Sequence, residues 1–219
     1  MKVKVYADIA CPWSRLGAHR FGRAVGGVDG GREVELVHLP YQLDPDAPEH
    51  PRPLMEAMAE MFGRDRADLM AAEMTRLGAG EGVEFRFDRA VAANTFAAHR
   101  LLWFALCHHG AEVQAALARV LYEAHFCDGA NVADHAELVG LAGRVGLDGG
   151  RVKSFLASDE GVAEVRERVA AAKRDGIASV PTFVLENGEL IGGSDRIEEI
   201  LRAARAVDGP SRVLATGGG

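Results

Sequence analysis

Strand signals in this chain are confined to its two ends, and that distribution limits the fold more than any other feature. Residues 2–8 and 33–39 alternate apolar and polar side chains and are rich in β-branched residues, the pattern of half-buried strands. Between them, 14–25 sets Leu16, His19, Arg20 and Arg23 at helical spacing and stops at Gly26-Gly27, so the chain opens β-α-β. A connection through Pro40, Pro45, Pro48, Pro51 and Pro53 follows. The next stretch has almost no strand character: 54–62, 67–77, 90–108, 112–126, 136–145 and 152–156 carry helical periodicity, punctuated by Gly or Asp. After a helix over 162–174, 182–185 is strand-like, Glu186-Asn187-Gly188-Glu189 is a hairpin turn and Leu190-Ile191 begins the return strand. Ser194 and Asp195 offer N-cap oxygens to a last helix over 197–206, with Glu198 and Glu199 where the helix dipole favours negative charge. Residues 208–219 are expected to form a flexible tail.

At 219 residues and 48% apolar, the chain can bury a substantial core as one unit carrying an insertion. No apolar run is long enough for a transmembrane helix. The N-terminus alternates and meets Asp8, unlike the apolar stretch of a signal peptide, so a cytoplasmic location is expected. A net charge of −7 without a long Lys/Arg run leaves no footprint for nucleic acid. The three cysteines, Cys11, Cys107 and Cys127, are odd in number and scattered, so any that matters is chemical rather than structural. Cys107 follows Leu102-Trp103-Phe104-Ala105-Leu106 and is read as core. His108, His109, His125 and His135 with Cys127 lack metal-ligand spacing, so no metal site is expected. Asn94 is an N-cap candidate and His99 a hydrogen-bonded core or rim residue. Met55, Met58, Met61, Met70 and Met74 recur at helical spacing, as packing residues do.

Cys11-Pro12-Trp13-Ser14 lies where the first strand gives way to the first helix. A thiol there meets unpaired backbone N–H groups and the positive end of the helix dipole, both of which favour thiolate. Pro12 suits the first helical turn, where its missing N–H has no partner to lose. Far along the chain, Ser179-Val180-Pro181-Thr182-Phe183 puts a proline at a strand start directly after a helix, a position where a cis bond is expected.

These segments carry a family resemblance. Without its helical block the chain has the element order of a thioredoxin fold. The strand–CPWS–helix opening, the helical insert and the late VPTF strand resemble the DsbA-like thioredoxin-fold family, specifically its FrnE-type branch, over residues 2–206. Asn94-Thr95-Phe96-Ala97-Ala98-His99-Arg100-Leu101-Leu102 and Tyr41-Gln42-Leu43-Asp44-Pro45 resemble segments of that branch. Gly193-Ser194-Asp195-Arg196 resembles the motif with which kappa-class glutathione transferases and 2-hydroxychromene-2-carboxylate isomerases hold the γ-glutamyl end of glutathione. The resemblance implies an α/β thioredoxin fold with a large all-helical insertion: residues 1–40 and 158–207 form the thioredoxin domain and 41–157 the insert. A site in the groove between the two is expected.

The resemblance also implies a thiol–disulfide oxidoreductase with Cys11 as nucleophile. Pro12 and Trp13 shape the site, and Val180 and Pro181 bind the substrate backbone. Dithiol members carry a second cysteine where this chain has Ser14, so an intramolecular dithiol cycle is excluded. Three chemistries stay open. Cys11 acts as a monothiol, helped by a hydrogen bond from Ser14 and resolved by an external thiol; or Cys127 resolves it; or Cys11 and Ser14 orient the sulfur of bound glutathione for isomerase or transferase chemistry, with Ser194 and Asp195 as ligand contacts. The isomerase relatives commonly have Ser at the first motif position, so Cys11 weighs against the third. The implied partners are small-molecule thiols or disulfides, and peptide disulfides. No tightly bound cofactor is expected, glutathione or another small thiol is the co-substrate, and a helical insert of this sort can present a homodimer face. FrnE-type relatives also imply a place in secondary metabolism.

Overall fold

Val3, Val5 and Ala7 are buried on one face of the first strand while Lys2 and Lys4 stay exposed, so alternation alone seats β1 (Lys2–Ala7) in a sheet with one covered face at its start. In the computed structural model, which describes residues 1–26 and 34–207, β1 is central. It pairs in parallel with β2 (Glu35–Pro40) and antiparallel with β5 (Thr182–Val184), and β5 pairs antiparallel with β6 (Leu190–Gly192). The sheet order is β2-β1-β5-β6. Helix α1 (Pro12–Gly26) and helix α8 (Ile197–Val207) cover one face, joining Phe21, Ile197, Ile200 and Leu201 to Val3, Val5 and Phe183. This is the thioredoxin fold with a helical insertion that the element order implied. The expected strand start at Glu33 and the tail from 208 lie outside the described residues.

Between β2 and β5 the chain forms a two-stranded ribbon, β3 (Arg52–Pro53) with β4 (Val91–Ala92), and the helices α2 (Leu54–Phe62), α3 (Arg64–Glu81), α4 (Phe96–Glu123), α5 (His135–Gly143), α6 (Gly149–Leu156) and α7 (Val162–Arg174). Residues 90–95, expected as helix, instead provide β4 and a turn: the Leu54 N–H donates to the Ala90 carbonyl, and α4 starts only at Phe96. The break expected between 108 and 112 is present as a kink at Gly110, where φ of 87° takes the backbone out of the helix. Beyond α4 the chain tightens into one π-helical turn, Ala124–Asp128, which carries His125 and Cys127 inward. The insert's core gathers Met74, Phe85, Leu101, Phe104, Leu117, Phe126 and Leu138, and Ile9 and Leu16 join it from the thioredoxin side. Of the methionines, Met74 is buried and Met55 and Met58 are partly so, but Met61 is exposed. Cys107 is exposed rather than core, because it lies two residues, or about 200° of helix rotation, past buried Ala105.

β2 is an edge strand buried on both faces beneath α4, so its outer backbone groups need partners that water cannot supply. Gln114 supplies them: its Oε1 accepts the His38 N–H at 2.9 Å and its Nε2 donates to the His38 carbonyl at 3.0 Å. One buried amide therefore replaces the missing neighbouring strand. Gln114→Leu leaves both groups unpaired and should lower the unfolding free energy by about 2–4 kcal/mol, measurable by urea denaturation; an unchanged midpoint would show the edge to be satisfied otherwise.

Candidate active site

Cys11 is the N-cap of α1. Its N–H donates to the Asp8 carbonyl at 3.1 Å, its own carbonyl accepts from the Arg15 N–H at 3.2 Å, and Pro12 takes the first helical position. The sulfur faces the free N–H groups of Trp13 and Ser14 and the Ser14 hydroxyl, as the sequence position requires. Yet it is only 4% exposed, enclosed with Tyr6, Ala172, Ile177 and Val180. Burial pushes the Cys11 thiol above its ordinary value and the Asp8 charge adds to that; the Ser14 hydroxyl and the two N–H groups pull the other way and are outweighed. The helix terminus favours thiolate, as expected, and the enclosure opposes it. Cys11 rests as a thiol whose S–H donates to the Val180 carbonyl at 3.5 Å.

Val180 precedes a cis peptide bond to Pro181. Its carbonyl is taken by Cys11, while its N–H has no protein partner among the described residues. Gly17 lets α1 approach this turn: a Cβ there would stand 3.1 Å from Pro181 Cγ and 3.4 Å from Ser194 Cβ. Ser194 makes no capping bond to α8. Its hydroxyl and carbonyl instead accept from Arg20 at 3.2 and 3.0 Å, and Arg20 is itself held by Glu81. Asp195 is exposed and, among the described residues, makes no hydrogen bond or ion pair. Trp13, 36% exposed, is the large apolar side chain at the open side of the motif, beside partly exposed Pro12.

Asp8 organises the floor. Fully buried, it accepts the Leu43 N–H at 2.7 Å and the Ala10 N–H at 3.3 Å, and it lies 3.3 Å from His99 Nε2. Burial alone would raise its pKa, but His99 and these N–H donors overcome that and hold the carboxyl below the ordinary range. Asn94 clips the same loop, donating to the Pro45 and Ala47 carbonyls while its oxygen accepts from Gln42 and from the Phe96 N–H. It therefore serves the α4 start from one residue before the N-cap, Thr95. Arg100 donates to the carbonyls of Phe155, Ser158 and Glu160. A cavity of about 490 Å³ opens between this loop and α7, lined by Gln42, Asn94, Phe96, Arg166 and Lys173 among others, but not by Cys11, Val180 or Pro181.

Cys127 is tied to α1 through Arg15. Its sulfur accepts from Arg15 at 3.3 Å and donates to the Glu84 carbonyl at 3.2 Å, with Arg15 stacked over Phe85; none of these contacts reaches Cys11. Three buried residues that no motif announces also surround the site: Asp8 beneath Cys11, Tyr122 from α4, whose hydroxyl senses Cys11, Asp8 and Ser14, and His125 from the π turn. Tyr122 lies in a periodic apolar run and reads as packing; only the fold brings it to the cysteine.

A thiol at a helix N-cap, facing a cis-proline turn on a β2-β1-β5-β6 sheet, is a combination that can be compared with known proteins. The family of the DSBA-like thioredoxin domain matches residues 2–205. The chain belongs to that family. The uncharacterized protein YwbO of Bacillus subtilis is 26% identical over 202 residues, 91% of this chain and 94% of that one. The crystal structure of a probable DsbA oxidoreductase from Streptomyces coelicolor is 30% identical with a TM-score of 0.84, covering 96% of this chain and 91% of that one. A 2-hydroxychromene-2-carboxylate isomerase superposes with a TM-score of 0.67 at 18% identity over 95% of this chain and 96% of that one, a likeness of fold. Among the described residues no helix is long and apolar enough to cross a membrane.

His38 and His125 are fully enclosed, and burial first of all lowers each imidazole from 6.5 to about 4. Below pH 6.5 the unfolded chain takes up protons that these two side chains refuse until about pH 4. Stability should therefore be complete above 6.5 and fall as pH drops toward 4, by roughly 3 kcal/mol for each imidazole. Urea unfolding across this range should show the decline, and His125→Phe should remove about half of its slope; a flat profile between pH 6.5 and 4.5 would contradict the neutral buried state.

Proposed function

We propose that this DSBA-like protein is a monothiol thiol–disulfide oxidoreductase of the FrnE type. The observation that supports it is the Cys11 sulfur, set over the Trp13 and Ser14 N–H groups and against the Val180 carbonyl, with a hydroxyl where dithiol relatives carry their second sulfur. A substrate backbone that lies beside Val180 accepts its free N–H and donates to its carbonyl, displacing the Cys11 S–H. The sulfur's remaining polar neighbours on α1 then all favour thiolate. The Cys11 proton passes to solvent and the thiolate attacks one sulfur of the substrate disulfide; the S–S bond breaks, a Cys11–substrate disulfide forms, and the other half leaves as a thiolate that takes up a proton from solvent. An external thiol, glutathione or a similar molecule, then attacks the mixed disulfide, taking the substrate half into a new disulfide and returning Cys11 as thiolate. Ser14 cannot perform this second attack, so the external thiol is obligatory. We place the reaction in the reducing cytoplasm, where small thiols are abundant, and, by the FrnE-type resemblance, on a disulfide of secondary metabolism.

A second reading is the glutathione-dependent isomerase or transferase. Two observations favour it: burial keeps Cys11 protonated at rest, and the Asp195 carboxylate is exposed and, among the described residues, makes no hydrogen bond. The Ser194 hydroxyl, already held by Arg20, is less free to receive a ligand.

The two separate on contact with glutathione disulfide and glutathione. Glutathione disulfide should add one glutathionyl group to Cys11, absent in Cys11→Ser. It should do so about five- to thirtyfold faster than hydroxyethyl disulfide, because one or two backbone hydrogen bonds at Val180 are worth roughly 1–2 kcal/mol. Equal rates for the two disulfides would sink the gating role of Val180. Reversible binding of reduced glutathione that Asp195→Ala weakens, with no adduct from the disulfide, would favour the isomerase reading.

A further inference from the structure

Six buried side-chain nitrogen or oxygen atoms lack a hydrogen-bond partner among the described residues, and five of them surround Asp8 and Cys11: Ser14 Oγ, Thr95 Oγ1, Tyr122 Oη and both ring nitrogens of His125. An unpaired buried hydroxyl costs about 1–3 kcal/mol, and at position 122 a phenylalanine would fill the same space without that cost. The Tyr122 ring is 2% exposed and its hydroxyl faces the Ser14 hydroxyl and the Cys11 sulfur, without a well-aligned bond to either.

We propose that Tyr122 is a positioning residue for the Cys11 thiolate: its phenol donates to Ser14 Oγ and so turns the single Ser14 proton onto the ionised sulfur. A serine hydroxyl has one proton and two lone pairs. With the sulfur protonated and bonded to Val180, Ser14 has no anion to serve and its hydroxyl stays unpartnered. Once the sulfur carries charge, the row Tyr122 O–H to Ser14 O–H to Cys11 S⁻ satisfies both orphan hydroxyls at once, and each bond polarises the next. The charge exists at two moments of the proposed cycle, before Cys11 attacks and when it leaves the mixed disulfide. Two hydroxyls from α1 and α4 thus stand in for the second thiol. Tyr122 can have this role only if Cys11 is the nucleophile proposed above.

The other titratable groups around the sulfur do not compete for it. Asp8 lies beneath and opposes ionisation, with His99 bonded to its carboxylate. Tyr6 from β1 spends its hydroxyl on Asp175, which follows α7. Arg15 on α1 is held by Cys127 and Phe85. His125 meets Phe126 edge-on and stays neutral above about pH 4. From the α7 side and the cis-proline turn the apolar residues Ala172, Ile177 and Val180 pack around the sulfur; Arg168 of α7 acts on Tyr6, and Tyr41 packs partly against the same cluster.

Iodoacetamide alkylation, quantified at the Cys11 peptide by mass spectrometry across pH, tests the proposal in the full chain and its Tyr122→Phe, Ser14→Ala and doubly substituted forms. The wild-type midpoint should lie above that of free cysteine, near 8.5. Tyr122→Phe should raise it further, by roughly half to one pH unit, Ser14→Ala by at least as much, and the double variant by no more than Ser14→Ala alone. Superposed wild-type and Tyr122→Phe profiles, or shifts that add in the double variant, would overturn the coupled row. Ser14→Thr, which keeps the hydroxyl, should restore the Tyr122 dependence. The thermal midpoint of Tyr122→Phe should be unchanged or higher; a large fall would mean that the phenol serves the fold instead. If wild-type Cys11 forms no mixed disulfide with glutathione disulfide, the oxidoreductase function fails, while the alkylation profiles still decide whether Tyr122 acts through Ser14.

Discussion

The Asp8 carboxylate holds together the parts that make the site. It sits in the turn between β1 and α1 and binds the Ala10 N–H of that turn, the Leu43 N–H of the loop after β2 and the His99 ring of α4. Three segments distant in sequence are thereby pinned around one charge inside the protein. A charge so enclosed persists only because each neighbour is a hydrogen-bond donor. Around this point the thioredoxin sheet and the helical insert share a core, with Ile9 and Leu16 packed among the insert's apolar side chains. The position of Cys11, three residues on, follows from it.

The same enclosure sets two tendencies against each other at the sulfur. The helix N-terminus presents free N–H groups that favour a thiolate, and the low-polarity surroundings, with a carboxylate beneath, favour a thiol. In the resting protein the second wins, and the proton is held by the Val180 carbonyl. A cysteine arranged in this way is quiet until something takes its place on Val180. For the monothiol cycle proposed above that restraint matters, because Ser14 cannot supply a second sulfur.

Much of the fold was legible in the order of patterns. The helices over Leu54–Phe62 and Val162–Arg174 and the break near Gly110 follow from periodicity and glycine placement. The two segments that resemble the FrnE-type branch, 41–45 and 94–102, meet as a clip at the sheet–insert junction through Asn94 and His99. Local signals failed where a distant partner decided the outcome. Residues 90–95 look helical, yet Val91 and Ala92 pair with Arg52 and Pro53. Ser194 has the chemistry of a cap, but Arg20 reaches it first. Cys107 sits in an apolar run and still faces outward, because hydrophobic neighbours in sequence occupy different sides of a helix.

By itself the sequence determined that Cys11 would stand at a strand-to-helix junction, that Pro181 would open a strand behind it, and that Ser14 would exclude a dithiol cycle, since each depends on residues adjacent in the chain. The tertiary structure decided the protonation of Cys11, the loss of Ser194 to Arg20, the contacts of Cys127 with Arg15 and Glu84, and the arrival of Tyr122 beneath the motif. Burial and hydrogen bonding are properties of what surrounds a group, and here those surroundings come from β1, α1, α4 and the cis-proline turn, which only folding brings within reach of one sulfur.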